Sequence, residues 1–480
     1  MQTGTLISLA LYFLLMIAIG LYAWRKSTGN SEEYMLGGRQ LSPAVAALSA
    51  GASDMSGWLL LGLPGALYAT GLVEAWIGIG LFVGALANWI VVAPRLREQT
   101  ESYGNSLTIP EFLANRFPDQ ATALRVTSAI IIVLFFSVYT AAGLVGGGKL
   151  FVSSFASLFD ITSISDYMLG IYITGGVVVA YTMFGGFLAV SLTDFVQGCI
   201  MVVALVLMPA VILYDDGGWT AASTTLTAID PEYLSLTKGL TFLGFVSAVT
   251  WGLGYFGQPH IIVRFMALRS VKDVPTARNI GMIWMGIALL GAIGVGILGR
   301  AYVEQNGMQL DDAETIFILL ANLLFHPLIT GFLLAALLAA IMSTISSQLL
   351  VASSSLTEDF YRLFLRKGAS EREMVTVGRL CVLAVAIIAA VIAADPESEV
   401  LGLVSNAWAG FGAAFGPLII LALTWKRMTG AGAVAGLVTG AGVVALWIAI
   451  GWSSSLYEIV PGFAAAMAAI IGVSLLTSRD

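Results

Sequence analysis

The chain has 480 residues, 58% of them hydrophobic and 11% charged, with a formal net charge of −7 and a mean hydropathy of +0.91. Soluble domains carry roughly 25% charge, so the composition excludes an ordinary soluble protein and defines an all-α polytopic membrane protein. Cys199 and Cys381 both sit in apolar runs and offer neither a disulfide framework nor a metal site; His260 and His326 are too few for a histidine proton relay.

Stretches of about 20 apolar residues fall near 5–24, 43–70, 75–93, 123–150, 167–184, 191–213, 240–258, 280–302, 316–356, 375–394, 399–424, 431–450 and 457–476. They give about thirteen spans, numbered here in that order. Span one is followed, not preceded, by basic residues, which predicts a retained helix and not a cleaved leader. With the N-terminus outside, the inner loops hold all 22 basic residues except Lys149, Lys238 and Arg300. Arg264 and Arg479 count among the inner ones. Acid gathers outside, at Asp215, Asp216, Asp311, Asp312, Asp395 and Glu397. This is the asymmetry that the positive-inside rule demands, and it places the C-terminus inside. Residues 108–117 read as a short helix on the inner surface, and 358–379 as a charged inner connection. Gly175-Gly176 and Gly185-Gly186 lack the flanks of a phosphate loop, so no ATP-driven engine is expected.

Span two contains Ser49-Ala50-Gly51-Ala52-Ser53-Asp54-Met55-Ser56-Gly57-Trp58. A carboxylate within a membrane helix costs at least ~2.5 kcal/mol, so Asp54 needs a cation, a wet cavity or a donor on a neighbour. Gly51 and Gly57 bracket it, Pro64 follows, and each weakens the helix. Broken backbone at membrane depth is tolerated only where protein buries it or it lines a cavity. The stretch therefore predicts an ion or solute site at an unwound helix; the alternative is a small-residue packing face with an internally bonded Asp54.

Span seven holds the second interruption, Trp251-Gly252-Leu253-Gly254-Tyr255-Phe256-Gly257-Gln258-Pro259. Four intact spans separate the two. Spans two to six and seven to eleven then form two five-span units of opposite orientation. Paired Gly/Pro-interrupted spans in inverted halves point to a secondary transporter's binding site. Unwound carbonyls suit a cation, and half-helix N-termini suit an anionic group. Trp251 and Tyr255, four apart, share a face if the helix persists between them, and could clamp a small apolar ring; the alternative is a lipid or packing role. The domains expected are 1–40, an extra helix and inner loop; 41–215 and 216–427, the two repeats; and 428–480, two extra helices.

Span nine carries Ala340, Ser343 and Thr344 on one helical face. Two hydroxyls and a carbonyl are hard oxygen ligands for a small cation, although such faces also mediate helix packing.

These stretches carry a resemblance. Residues 49–68 (SAGASDMSGWLLLGLPGALY), 251–260 (WGLGYFGQPH) and 342–360 (MSTISSQLLVASSSLTEDF) resemble the sodium/solute symporter family, on its proline-transporting side. Residues 185–194 (GGFLAVSLTD), 139–141 and 405–417 (SNAWAGFGAAFGP) agree, collinearly, as far as about Arg427. The resemblance implies a LeuT-like core of ten helices in a 5+5 inverted repeat, with spans two and seven broken. It implies a sodium ion held by the carbonyls of Ala52, Met55 and Ala340 and the hydroxyls of Ser343 and Thr344. Asp54 matches the family's essential intramembrane carboxylate. Asp194 matches an acidic residue associated with sodium release, and Arg39 an inner-face base linked to coupling. Ser56, Gly57, Tyr139, Trp251, Tyr255 and Pro259 match positions linked to substrate binding in the proline-transporting members. Gln258, beside Pro259, is counted with them.

The function expected is sodium-coupled uptake of L-proline by alternating access in the bacterial cytoplasmic (inner) membrane. No enzyme activity, nucleic acid or obligatory protein partner is expected; the partners are the solute and the lipid bilayer. The rivals are a sodium symporter of pantothenate, another carboxylate or a sugar, and a proton-coupled symporter using Asp54. A channel would show no coupled, saturable flux. The few residues after Leu476 are expected to leave no room for a sensor's signalling domain.

Overall fold

A computed structural model describes residues 3–26, 29–155, 164–215 and 217–478. Asp216 and Arg479, both used in the loop-charge pattern, lie outside them. The described residues are helical throughout, apart from turns and one isolated parallel bridge between Leu41 and Leu268. Among the described residues, ten helices are long and apolar enough to cross a membrane, and the bent pair Pro43–Asp54 and Trp58–Thr70 makes eleven.

Two segments explain the difference from the expected thirteen. Asp166–Asp215 forms one helical run of 50 residues. At 1.5 Å per residue it would measure about 75 Å, against a ~30 Å hydrocarbon core. It is interrupted at Gly186, whose φ of 59° and ψ of −156° are non-helical. A side chain there would also press on Tyr34, so the position requires glycine. The other segment is span seven. It consists of a helix Phe242–Val249, a 3-10 turn Thr250–Gly257 and a second helix Pro259–Ala267. The expected limits of 240–258 stop at the break. Pro259 opens the second half at a first-turn position, where its missing N–H costs nothing. Arg264 therefore does not belong to an inner loop, as the charge pattern assumed. It is fully buried inside span seven.

The core is formed by the segments the breaks run through and their neighbours. Of the apolar windows of Pro327–Leu365 and Val400–Thr424, 83% is buried, against 28% for Thr3–Lys26, Glu371–Ile392 and Ile459–Thr477. Span nine begins at Pro327, preceded by the separate short helix Ile316–Leu324. Gly80 and Gly84 of span three face the backbone of Val249 and Gly252. Their bare Cα atoms let span three lie directly against the break in span seven. The short helix expected over 108–117 is Ile109–Arg116, capped by Thr108.

Both ends of the bundle are strapped. At one, Leu41 N–H donates to the Ala267 carbonyl (3.1 Å) and Arg269 N–H to that of Leu41 (3.2 Å), tying the start of span two to the end of span seven. At the other, the Glu314 carboxylate accepts from the N–H groups of Val400 (3.1 Å) and Leu401 (3.0 Å), where span eleven begins. Lys149 holds the same carboxylate at 2.8 Å.

Candidate ion and solute site

Span two stops being helical at Asp54. Met55, at φ −78° and ψ 75°, is the first non-helical residue, so its carbonyl leaves the helical ladder. The Asp54 carbonyl holds the unwound turn together: it accepts from Ser56 N–H (2.8 Å), the Trp58 indole (3.0 Å) and the Tyr139 hydroxyl (3.5 Å). The chain then restarts in a π-type turn, Trp58–Gly62, and continues at 61° to its first half. The Asp54 side chain is 2% exposed and turned inward. Its Oδ2 accepts a hydrogen bond from the Tyr255 hydroxyl of span seven. Its Oδ1 has no partner among the described residues. The carboxylate thus joins the two broken helices directly.

Two residues before Asp54, span two meets span nine. The Ser343 hydroxyl donates to the Ala52 carbonyl at 2.7 Å, across 291 positions of sequence. Ser343 and Thr344 also lie 3.2 and 3.3 Å from the Ala340 carbonyl. Four of the five expected cation oxygens are therefore neighbours in one buried patch. Oxygens roughly 3.4 Å apart subtend a right angle at a cation with ~2.4 Å ligand distances, so modest shifts complete a shell. The fifth, the Met55 carbonyl, belongs to the unwound residue beside them. The donors are neutral, and no group of three His, Cys, Asp or Glu that could hold a metal occurs among the described residues. Such a set suits a hard monovalent ion, taken as a co-transported substrate.

Of the expected solute residues, Ser56 and Gly57 lie in the break of span two, Trp251, Tyr255, Gln258 and Pro259 in that of span seven, and Tyr139 reaches the Asp54 carbonyl. Tyr139 is buried, with its ring edge-on to His260 at 5.7 Å. Gln258 and Pro259 sit where span seven restarts, both buried. Ser56 accepts from Trp58 N–H at 3.4 Å. Gly57 faces Ile341 of span nine, 3.3 Å from where a Cβ would lie. The shared face proposed for Trp251 and Tyr255 does not form. The backbone between them is 3-10, and at three residues per turn a spacing of four turns the rings apart. Trp251 stacks on Tyr457 at 5.1 Å, whereas Tyr255 packs edge-on to Trp408 at 5.0 Å. Trp408 is the residue the sequence reading missed. Its indole donates to the Trp251 carbonyl (2.7 Å), and its own carbonyl accepts from Gln258 Nε2 (3.1 Å). It packs against the bare Gly254 and holds the 3-10 turn in place. The cavity that Asp54 and Tyr255 line measures about 20 Å³, room for one water and not for an amino acid.

Asp194 lies further along the bundle and is wholly buried. Its Oδ2 accepts from Ser49 of span two (2.7 Å), Ser347 of span nine (3.5 Å) and Arg264 of span seven (3.2 Å). Arg264 Nε also reaches Ser49 Oγ at 3.0 Å. A buried charge without a partner is strongly unfavourable, and that requirement was the available signal for Arg264. Arg39 is buried at the strapped end, donating to Asn105 Oδ1 (2.8 Å), Thr100 Oγ1 (3.2 Å) and the carbonyls of Met266 (2.8 Å) and Ser106 (2.7 Å). Burial, helped by nearby Arg97, lowers its guanidinium to about 10, still protonated at neutral pH.

Two discontinuous helices, crossing with buried carbonyls and hydroxyls at their breaks, are the architecture of a secondary transporter. The model of the sodium:solute symporter family matches residues 34–440, and the chain belongs to that family. It is 56% identical to the high-affinity proline transporter PutP of Bacillus subtilis, over 96% of both chains. It is 51% identical to the osmoregulated proline transporter OpuE of the same organism, covering 100% of this chain and 96% of the other. A sodium/proline symporter of Staphylococcus aureus is 52% identical, over 99% of this chain and 93% of the other. Among solved structures, a Na+-coupled sialic acid symporter in a substrate-bound outward-open state superposes with a TM-score of 0.81 at 19% identity, over 100% and 99% of the two chains. A nucleobase-cation-symport-1 family transporter in a closed conformation gives 0.57 at 15% identity, over 94% and 95%. These likenesses bear on the fold: a multi-span, all-helical membrane protein of the LeuT-like kind.

Proposed function

We propose that this protein couples inward sodium flow to the uptake of L-proline by alternating access. One observation carries this function. A single break in span two serves both substrates: the Ala52 carbonyl faces Ser343 on the cation side, and two residues later Asp54 bonds Tyr255 on the solute side. Sodium, held by Ala52, Met55, Ala340, Ser343 and Thr344, draws span two to span nine. That sets the position of Asp54 and hence of Tyr255. By linkage, the solute tightens sodium by the same factor that sodium tightens the solute. Each sodium entering down the membrane potential contributes ~2.3 kcal/mol per 100 mV.

Proline supplies an apolar ring for Tyr139, Trp251 and Tyr255, with Trp408 packed against Tyr255. Its charged groups meet Ser56, Gly57, Gln258 and Pro259 at the ends of the broken helices. The buried Gln258 Oε1 and Asp54 Oδ1 have no partners among the described residues, which leaves both open as acceptors for an imino nitrogen. The 20 Å³ cavity implies that rings must move aside to admit the solute. The relatives' proline substrates support this choice of solute. Asp194, paired with Arg264, and Arg39, strapped to Met266, act below the site, where they bias opening toward the inner side.

The same scheme divides the chain into 1–40, two inverted repeats at 41–215 and 216–427, and 428–480. Counting the run broken at Gly186 as two spans, and 242–267 as one, gives thirteen. The N-terminus is then outside and the C-terminus inside a bacterial cytoplasmic membrane.

The test is uptake of labelled proline by proteoliposomes with a panel of competitors. Trp251→Ala removes a ring stacked on Tyr457 and is expected to raise the proline concentration for half-maximal uptake about tenfold or more, with a much smaller change in sodium requirement. Pantothenate or a sugar competing better than proline would overturn the assignment of the solute.

A further inference from the structure

A groove runs along the outside of the bundle between spans one and five, remote from the breaks. It holds about 470 Å³, and its lining is wholly apolar. Ile17, Leu21 and Trp24 form one wall, Val177, Ala180 and Phe184 the other, and Tyr181 lies along its floor. At one mouth the rings of Trp24 and Phe184 meet edge to face at 6.4 Å. The Arg379 guanidinium lies 5.7 Å from the Phe184 ring centre, with Nε donating to the Met183 carbonyl at 3.0 Å. Arg25 and Lys26 follow Trp24 in the last turn of span one, and both are exposed. The carboxylates near Arg379 on its own helix are engaged elsewhere. Glu371 holds Ser31, and Glu373 holds Tyr361 and Arg366.

An apolar slot facing lipid accepts any acyl chain. Lys26 is turned away, its ammonium 5.1 Å from the Tyr22 ring centre on the other face of span one, so Arg379 beside Phe184 and Arg25 next to Trp24 are the cations at this mouth; with aromatic rings at the same level, they select the headgroup. Cationic side chains beside a membrane helix attract anionic lipid, and aromatic rings settle at the headgroup depth. We infer that this groove binds one anionic phospholipid, with an acyl chain between spans one and five and its phosphate between Arg379 and Arg25. The occupant also bears on the cation site. It rests against Tyr181, whose hydroxyl donates to the Met342 carbonyl at 3.0 Å. Met342 immediately precedes Ser343. This second part rests on the sodium site proposed above.

The experiment is native mass spectrometry of the full chain released from nanodiscs of equal phosphatidylglycerol and phosphatidylcholine. The expected result is retention of phosphatidylglycerol over phosphatidylcholine by about tenfold or more. Arg379→Gln combined with Arg25→Gln should erase the preference. Ala180→Phe, at an exposed position, should fill the slot and release the lipid with every cation in place. Equal retention of the two lipids, or unchanged phosphatidylglycerol retention in both variants, overturns the site. In proteoliposomes, the sodium concentration for half-maximal uptake should differ between the two lipids and converge in Ala180→Phe. Equal values in the unmodified protein would refute the link through Tyr181. Uptake with no sodium dependence at all would count against the transport function and leave the lipid retention standing.

Discussion

Replacing Asp54 with alanine is expected to abolish sodium-dependent proline uptake while the protein stays in the membrane. The carboxylate is the acceptor for Tyr255 and the direct tie between spans two and seven. A hydrogen bond to a charged group contributes about 1.5–3 kcal/mol, a factor of roughly ten to a hundred or more in whatever equilibrium it biases. Alanine also leaves a buried hydroxyl unpaired. The helical half of span two ends at this residue with its own carbonyl held by three donors, and none of those bonds uses the side chain. The break should therefore survive and the protein should insert normally, so that the loss falls on coupling. Asp54→Asn keeps an acceptor of similar shape without the charge and should retain more uptake than the alanine variant. Undiminished uptake in Asp54→Ala, with the membrane level checked by immunoblot, contradicts the assignment.

Replacing Thr344 with alanine is expected to raise the sodium requirement about tenfold or more, equivalent to ~1.4 kcal/mol. Proline affinity measured at saturating sodium should change by less than about twofold, because the solute contacts are untouched. The reason is positional. Thr344 Oγ1 lies with Ser343 Oγ against the Ala340 carbonyl, on the face of span nine that meets Ala52. At low sodium, the apparent proline affinity should fall as well, since the two ligands are linked. Ser343→Ala should act in the same direction, and more strongly, since Ser343 also bonds span two. Trp251→Ala should give the opposite pattern. Parallel losses in both substrates at saturating sodium would mean that span nine serves packing alone.

Much of this molecule could be read from its residues, for identifiable reasons. An acid at Asp54 between glycines, and three glycines with a proline at 252–259, are intrinsically poor helix, and both stretches are unwound. The i, i+3, i+4 spacing of Ala340, Ser343 and Thr344 needed only an intact helix, and span nine supplies it. What failed depended on partners far away in sequence. Arg264 read as a loop charge because hydropathy scores a side chain without knowing that Asp194, Ser49 and Ser347 await it. The same residue, with the polar Gln258 and His260, cut the apolar window short and hid the second half of span seven. A spacing of four puts Trp251 and Tyr255 on a common face only if the α-helix persists between them, and the 3-10 turn separates them. Trp408 had the look of one more apolar residue. Only its contacts with Trp251, Gln258 and Tyr255 reveal what it does.

The central claim is that a sodium gradient drives the solute through a site shared by both. The most direct measurement is uptake of labelled L-proline into proteoliposomes under an imposed gradient. Accumulation above the outside concentration under an inward sodium gradient, collapsing when that gradient is dissipated and not restored by a proton gradient, is the predicted result. Accumulation that persists without sodium and follows pH would contradict it, and would make Asp54 the proton-carrying group of a different symporter.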